Sequence, residues 1–238
     1  MKRNFIALCA LRLAACGSQE PKITLFSNEA FQTEADGKPV GIYTLRAGDV
    51  TIADDEQPPK ASIDKIPSLK PAFKKDGTVT AANSSSISDG AAALVLMRAS
   101  TAAAKGLTPI AKIVGHTTHA HQPNLFATAP VGAMQKLLAK TGWTTADVDL
   151  WEINEAFAVV TMAAIRDLAL DPAKVNIHGG ACALGHPIGA SGARIIVTLL
   201  GALKQTGGKK GIASLCIGGG EATALAVEMR SEEHTSEL

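Results

Sequence analysis

Three short loops combine residue types that could together perform acyl-group chemistry. Cys216 precedes a run of glycines that begins at Gly218, His186 lies in the glycine-rich stretch 179–194, and Asn154 comes just before an apolar segment. A thiol, an imidazole that can act as acid or base, and backbone N–H groups that converge at glycines could stabilise a developing oxyanion. Each residue also has a structural explanation, such as an inert buried thiol, a hydrogen-bonded core histidine or a plain glycine turn. Spacing alone does not bring the three loops together.

The elements that must position these loops alternate between strand and helix patterns. Strand-like segments read PIAKIVG, WEIN and ASLCIGGGEATALAVEM, the last predicting two strands around a glycine turn. Helical patterns cover 130–140, 155–170 and 189–205, and the apolar run 91–97 leads into an alanine-rich helical stretch that Gly106 ends. This alternation predicts a layered α/β domain.

Composition excludes several classes of function. The chain has 238 residues and a net charge of +1, so it shows no strong basic patch for nucleic acid or an anionic membrane surface. Aromatic residues make up only 4%, which disfavours base-stacking platforms. No apolar run is long enough to span a bilayer. The four cysteines form no CxxC pair, so neither a zinc ribbon nor a thioredoxin-type redox pair is indicated.

One alternative is a metal site at His116, His119 and His121, which fall within six residues. Three imidazoles could bind zinc. No cysteine or carboxylate lies near them in the sequence. We therefore expect no metal.

The two ends of the chain differ from its middle. Lys2, Arg3, an apolar stretch and Cys16 resemble a bacterial lipoprotein signal peptide with its lipobox, and an N-terminal helix is the alternative. Residues 23–50 resemble the opening strands of exported aldose 1-epimerases, with a β-hairpin predicted at Asp36-Gly37. Residues 230–238 match a translated sequencing adapter and are expected to be a disordered tail. These features suggest a chimeric reading frame in which residues 1–50 are foreign.

The middle of the chain resembles the thiolases, the acetyl-CoA acetyltransferase family. Four blocks carry the resemblance, namely residues 69–97, NEAF at 154–157, GGACALGHPIGASGAR at 179–194 and CIGGG at 216–220. The likeness runs from about residue 48 to 228. It implies a thiolase-like layered α/β fold with a complete C-terminal half, a five-stranded mixed sheet with helices, at 108–229. Residues 51–107 would be a remnant of the loop domain and of the N-terminal half.

The resemblance also implies catalytic roles. His186 would activate the nucleophilic cysteine and help to hold the thioester oxygen. Cys216 would be the acid or base that exchanges a proton with the methyl group of acetyl-CoA. Asn154 would hold a water that completes one oxyanion hole with His186, and Gly218 would donate its backbone N–H to the other.

Three further positions would contact the substrate. Phe73 and Ser85 match positions that touch the pantetheine arm of coenzyme A, and Phe157 would shape the acyl pocket. The family usually reads GNASG before the DGAAA block, whereas this chain has Ser86 in place of the last glycine. We expect that serine to crowd the coenzyme A arm.

The implied function is acetyl transfer between coenzyme A thioesters, an enzyme activity of lipid metabolism in the cytoplasm, with the thioesters as substrates and no cofactor. Family members are homo-oligomers, which is doubtful for this fragment. The acyl-carrying cysteine lies in the N-terminal half of family chains, and neither Cys9, Cys16 nor Cys182 is a convincing replacement. We therefore expect the truncated chain to be inactive, and the alternative is a non-catalytic chimeric fragment with residual coenzyme A binding.

Two further points concern a related family of enzymes and the location of the protein. The related β-ketoacyl synthases place histidine or asparagine where Cys216 stands, so CIGGG favours a thiolase. A cytoplasmic location conflicts with the lipobox-like Cys16, a conflict that we attribute to the chimera.

Overall fold

The computed structural model describes residues 61–230 together with the backbone of five short strands within 6–52. The chain divides into two compact units, one made of residues 1–11 and 69–238 and the other of residues 12–68. Cys16, the rest of the signal-like segment apart from the backbone of Ile6–Cys9, and the tail from 231 lie outside the described residues. The predicted boundaries at 50/51 and 107/108 stay predictions.

The unit of residues 12–68 contains two antiparallel hairpins. Strand β2 (Thr33–Ala35) pairs with β3 (Lys38–Val40), and β4 (Leu45–Ala47) pairs with β5 (Val50–Ile52). The first pair flanks Asp36-Gly37, which confirms the predicted hairpin. A 3₁₀-helix, Ile63–Ser68, follows the two hairpins in the chain.

The other unit is built on a mixed sheet that has six strands among the described residues. Its strands are β1 (Ile6–Cys9), β6 (Val95–Arg98), β7 (Ala111–Ala120), β8 (Leu150–Ile153), β9 (Lys210–Ile217) and β10 (Glu221–Met229). Their order is β6-β1-β7-β10-β9-β8. Only the β8–β9 pair is parallel within this described sheet. Residues 108–229 contribute four of these strands, β7 to β10, and not the five expected of the C-terminal half. Strand β6 comes from the segment before residue 108, and β1 comes from the segment that resembles a signal peptide.

Five α-helices cover the described sheet and its loops. They are α1 (Ala99–Ala104), α2 (Ala129–Thr141), α3 (Ala158–Asp167), α4 (Ala181–Leu184) and α5 (Ser191–Thr206). Helices α2 and α5 each end at a glycine with positive φ, Gly142 at 72° and Gly207 at 74°. Glycine has no Cβ to clash in this left-handed conformation, so it can end a helix with little steric strain. The predicted mixture of helices and mixed sheet is confirmed.

Each face of the sheet packs against its own hydrophobic cluster. On one face, Met134 and Leu137 of α2 and Val160 of α3 pack with Trp151 and Ile212 of the sheet. On the other face, α5 contributes a row of apolar side chains to a second cluster, Ile195, Leu199 and Leu203, together with Leu150 and Val227. Ile195, Leu199 and Leu203 recur every four residues along α5, close to one helical turn, so they lie on one buried face of the helix.

The face of β10 beneath α2 is lined by alanines. Ala222, Ala224 and Ala226 alternate along the strand and are at most 1% exposed. They belong to the same cluster as Met134 and Leu137. Small side chains on the strand leave room for the larger ones on the helix, so the two elements interdigitate. We call this row the alanine seam.

None of the helices between residues 61 and 230 is both long enough and apolar enough to cross a bilayer.

Candidate active site

Asn154 is held at the carboxyl end of β8. Its backbone N–H donates to the carbonyl of Ser214 in β9, at 2.9 Å, and so continues the parallel pairing by one residue. The residue is 1% exposed. Its side-chain Oδ1 accepts a hydrogen bond from Nη2 of Arg194, at 3.2 Å. Asn154 is therefore a rigid amide whose oxygen is already occupied.

His186 meets Asn154 from a different loop. Its Nε2 lies 3.4 Å from Nδ2 of Asn154, and its Nδ1 lies 2.6 Å from the hydroxyl of Ser191 at the start of α5. The backbone N–H of His186 donates to the carbonyl of Ser86, at 2.8 Å. Burial, and then the charge of Arg194, lower the pKa of His186 below its ordinary value. The imidazole is therefore neutral near pH 7 and available as a base.

Gly185 explains part of the glycine enrichment around this histidine. Its φ of 88° is in the left-handed region, and a Cβ built on it would overlap the hydroxyl of Ser88. The segment that contains Ser86 and Ser88 pairs with the histidine loop through a bridge between Ile87 and His186. The bare backbone at Gly185 thus lets residues 86–88 come against the loop and fix the imidazole.

Cys216 lies near the end of β9, at the edge of the sheet where β8 also ends. It is 8% exposed and packs within the cluster that α2 and α3 cover. Burial raises the pKa of its thiol. Cys216 is therefore a protonated thiol near pH 7, which suits a proton donor. No hydrogen bond connects Cys216 with His186 in the described part of the chain.

The turn after Cys216 is shaped by glycines. Gly219 and Gly220 have φ values of 96° and 90°. A Cβ on Gly220 would overlap the carbonyl of His121, whose N–H donates to the carbonyl of Gly220 at 3.0 Å. At Gly218, by contrast, a Cβ would meet nothing within 4 Å. The side of Gly218 on which a Cβ would stand is thus open.

The three predicted substrate-contacting residues lie together. The ring of Phe73 stands edge-on to that of Phe157, with 5.6 Å between centroids. Both the N–H and the hydroxyl of Ser85 donate to the carbonyl of Ala156, at 3.2 and 2.9 Å. Phe73 is 72% exposed, so one aromatic face is open beside the Asn154–Phe157 loop.

Two family models cover the chain. The model for the C-terminal domain of thiolase matches residues 107–229, more than half of the chain, and the model for the N-terminal domain matches residues 15–100. The chain belongs to the thiolase family. The second match includes the segment 23–50 that resembles an epimerase.

Known thiolases agree with this assignment. The acetyl-CoA acetyltransferase of Rhizobium meliloti is 50% identical over 188 residues, which are 79% of this chain and 48% of that protein. The crystal structure of the Bacillus anthracis acetyl-CoA acetyltransferase has a TM-score of 0.73 at 45% identity, covering 81% of this chain and 50% of the other. The Acat5 thiolase of Ascaris suum, solved in complex with coenzyme A, has a TM-score of 0.71 at 46% identity, covering 76% and 48%. The thiolase chain therefore spans about half the length of the curated relatives it matches.

The sequence did not indicate the residues that contact the Asn154–His186 pair or support those contacts. Ser191 and Arg194 lie in the same glycine-rich block as His186, but their residue types gave no specific signal. Glu152 stands between Trp151 and Ile153 in β8, and a charge inside such a short apolar strand was the available clue.

Glu152 and Arg194 form an electrostatic pair within this thiolase. Oε2 of Glu152 lies 3.9 Å from Nη1 of Arg194, and Glu152 is 2% exposed. Burial raises the pKa of Glu152 to about 7, although Arg194 acts in the opposite direction. Arg194 also lies on the wall of a cavity of about 200 Å³ between residues 89–91 and 184–190.

Glu155 fixes the neighbouring loop. Its carboxylate accepts hydrogen bonds from Nδ2 of Asn176, at 2.9 Å, and from the N–H of Cys182, at 3.1 Å. Burial, and then the charge of Glu155, raise the pKa of the Cys182 thiol to about 11. Cys182 is thus a poor nucleophile, as expected for a structural residue.

The three histidines, His116, His119 and His121, lie at the end of β7 and just beyond it, and the ring centroids of His119 and His121 are 5.2 Å apart. His116 and His119 lie an odd number of residues apart, so their side chains leave opposite faces of the strand. Nε2 of His121 lies 2.7 Å from the carbonyl oxygen of Leu125. Between residues 61 and 230, no group of three or more His, Cys, Asp or Glu side chains is placed to hold a metal ion.

Proposed function

We propose that this chain provides the proton-transfer and oxyanion-binding half of a site for acetyl transfer between coenzyme A thioesters. The observation that carries the proposal is the meeting of His186 and Asn154, at 3.4 Å, at the sheet edge where Cys216 lies near the end of β9. The acetyl-CoA acetyltransferases among its relatives, and the coenzyme A complex of the Ascaris suum thiolase, support the choice of substrate.

The proposed roles follow from the protonation states. Neutral His186 accepts the proton of a nucleophilic thiol, which then attacks acetoacetyl-CoA. The departing enolate of acetyl-CoA takes the proton of Cys216, a group that burial keeps protonated. Asn154 orients a water at the thioester oxygen, and Gly218, which is exposed, offers its backbone N–H to the second oxyanion. In the condensation direction, the Cys216 thiolate removes a methyl proton from acetyl-CoA.

Coenzyme A would lie along the surface that Phe73, Ser85 and Phe157 form. These residues adjoin the His186 loop through the pairing of residues 84–87 with both loops, since Ser84 bridges to Phe157 and Ile87 to His186. The proposed chemistry uses side chains and the thioester substrates, with no cofactor. A cytoplasmic location, where coenzyme A thioesters are used, and a homo-oligomeric assembly belong to the same proposal.

We further propose that the 238-residue chain alone does not turn over acetoacetyl-CoA. The resemblance places the acyl-carrying cysteine in the other half of family chains. Of the described cysteines, Cys182 has a thiol pKa of about 11 and Cys216 is assigned to proton transfer. The alternative function, residual coenzyme A binding without catalysis, fits the same surface.

The test is a partial reaction that needs no acyl carrier. We would follow exchange of the methyl protons of acetyl-CoA with D₂O by NMR, in the presence of the purified chain. We expect slow exchange that Cys216→Ala abolishes and His186→Ala weakens, whereas Cys182→Ala leaves it unchanged. Thiolysis of acetoacetyl-CoA, followed by its absorbance, should be absent in the same samples.

The outcomes separate the two functions. A folded chain that binds coenzyme A but catalyses no exchange would support the non-catalytic alternative. Thiolysis that both Cys216→Ala and His186→Ala abolish would show that this chain contains a nucleophile, and the proposal that it is inactive alone would be wrong.

A further inference from the structure

The polar groups around His186, beginning with Arg194, allow only one consistent arrangement of hydrogens. A guanidinium can only donate hydrogen bonds. Its Nη2 lies 3.2 Å from the side chain of Asn154, so the atom that faces it must be the amide oxygen. Nε and Nη1 of Arg194 are buried and have no hydrogen-bond partner among the described residues. The contact with Asn154 is therefore the hydrogen bond that this guanidinium makes.

The orientation of Asn154 then determines the protonation of His186. With Oδ1 turned to Arg194, Nδ2 faces Nε2 of the imidazole, at 3.4 Å. An amide nitrogen carries two hydrogens and accepts none. Nε2 must therefore present its lone pair, and the single proton of the neutral ring must be on Nδ1.

Ser191 completes the same arrangement from the opposite side of the ring. Its hydroxyl lies 2.6 Å from Nδ1 of His186 and 3.0 Å from the carbonyl of Pro187. A carbonyl only accepts, so the hydroxyl proton goes to Pro187 and the hydroxyl oxygen is left to accept from Nδ1–H. Ser191 is fully buried, so no solvent competes for this contact.

The hydrogen bonds thus run in one direction from α5, through the β8 loop, and back to the start of α5. Each donor is followed by an acceptor, from Arg194 to Asn154, to His186, to Ser191 and finally to a backbone carbonyl. Glu152 supports the first member, since its carboxyl group lies 3.9 Å from Nη1 of Arg194. Hydrogen bonds that run in one direction polarise one another, which strengthens the whole series.

We propose that Ser191 and Arg194 are positioning residues that fix neutral His186 as its Nδ1–H tautomer, with Nε2 unprotonated on the side of the ring that faces Asn154. Neither residue contacts the reacting atoms in this assignment. The inference rests on the proposed function, because a base that takes a thiol proton needs an unprotonated Nε2. Once His186 is protonated, the hydroxyl of Ser191 still accepts from Nδ1–H and stabilises the imidazolium.

The first test is the tautomer itself. We would record long-range ¹⁵N–¹H correlation spectra of the chain at pH 7.5, with the ring of His186 assigned through its own Cβ. At this pH the ring is neutral, since its pKa lies below the ordinary value. We expect a protonated-type shift for Nδ1 and an unprotonated-type shift for Nε2. The reverse pattern, or equal averaging of the two nitrogens, would overturn the proposal.

The second test removes the two supports in turn. Ser191→Ala takes away the acceptor for Nδ1–H and should reduce the ratio of Nδ1–H to Nε2–H tautomer by roughly fivefold, as expected for one hydrogen bond. Ser191→Thr keeps the hydroxyl and should restore the ratio. Thr206→Ala removes another hydroxyl of α5, one that bonds the carbonyl of Ala202 and not His186, and should change nothing.

Arg194→Met frees the amide of Asn154 to turn its oxygen towards Nε2, which favours the Nε2–H tautomer, whereas Arg194→Lys retains a donor. An unchanged ratio in both Ser191→Ala and Arg194→Met would contradict the proposal. These spectra contain no substrate, so the tautomer can be correct while methyl exchange of acetyl-CoA fails. If methyl exchange occurs but the tautomer is wrong, the proposed function stands and only the roles of Ser191 and Arg194 are refuted.

Discussion

Replacing Glu152 by glutamine should remove a pH dependence of stability that this buried carboxyl imposes on the fold. Glu152 is 2% exposed and lies in the centre of β8. Burial is the largest influence on its pKa and raises it from 4.5 to about 7, Arg194 opposes the rise, and Glu155 adds to it. Glutamine has nearly the shape of the protonated carboxyl group and cannot ionise, so it isolates the effect of the charge.

The sign and size follow from proton linkage. A group whose pKa is higher in the folded state stabilises the fold below pH 4.5, and that stability is lost as the pH rises through about 7. The difference between the two pKa values corresponds to about 3 kcal/mol. The free energy of unfolding of the wild type should therefore fall by about 3 kcal/mol relative to Glu152→Gln between pH 4.5 and pH 8. The substitution also removes the charged partner of Arg194, which shifts the free energy of unfolding by the same amount at every pH and so does not change this pH dependence.

The assay is urea unfolding at a series of pH values, followed by the fluorescence of Trp151, which is 1% exposed and adjacent to Glu152. A matched control is Glu228→Gln, which removes a partly exposed carboxylate paired with Lys112. Surface pairs of this kind contribute about 0–1 kcal/mol, so its profile should stay close to that of the wild type. Parallel profiles for the wild type and Glu152→Gln would contradict this prediction, because they would show that Glu152 is ionised in the fold at little cost.

Two other outcomes can be measured on the same chain. Gly185→Ala should lower the free energy of unfolding by roughly 1–3 kcal/mol, because φ is 88° and a Cβ would overlap Ser88. Gly189→Ala is the control, since its Cβ would meet nothing within 4 Å, and equal losses for the two variants would argue against the close approach. Iodoacetamide should alkylate Cys216 and Cys182 slowly at pH 7, because burial raises both pKa values, that of Cys182 to about 11. Peptide mass spectrometry would follow both sites as the pH rises, and rapid labelling of either at pH 7 would contradict the assignment.

The bounds of the helices that end at a glycine could be predicted from the sequence to within two residues. The pattern at 130–140 became α2 at 129–141, and the pattern at 189–205 became α5 at 191–206. Both have an apolar period that persists for several turns and a glycine just beyond the last turn. In such segments the local preference and the tertiary packing agree, so local rules suffice.

The helix predicted from residue 155 begins later, because distant contacts hold its first residues extended. Ser85 donates twice to the carbonyl of Ala156, 71 residues away in sequence, and Ser84 bridges to Phe157. These bonds satisfy backbone groups that an earlier helix start would have used. No local pattern could show this, since the partner segment is defined only by the fold.

The candidate site was predictable in part. The resemblance named Asn154 and His186, and the structure brings them into contact, while their catalytic roles stay predictions. Ser191, Arg194 and Glu152 were not predicted from the sequence, because what they contribute depends on which atoms the fold places next to them. A serine at a helix start and an arginine on a helix are ordinary residues, and their importance comes from the atoms that they face.

The alanine seam limits how this fold can change. Ala222, Ala224 and Ala226 already carry almost the smallest side chain, so substitution there can scarcely remove volume and can mainly add it. An added methyl or larger group would push α2 away from β10, and overpacking of a dense core costs about 1–3 kcal/mol. Because α2 is one rigid element, the displacement would extend to Gly132, where the helix has no Cβ beneath the ring of His119. Variation in this layer should therefore come as paired changes, with a larger residue on the strand compensated by a smaller one on the helix.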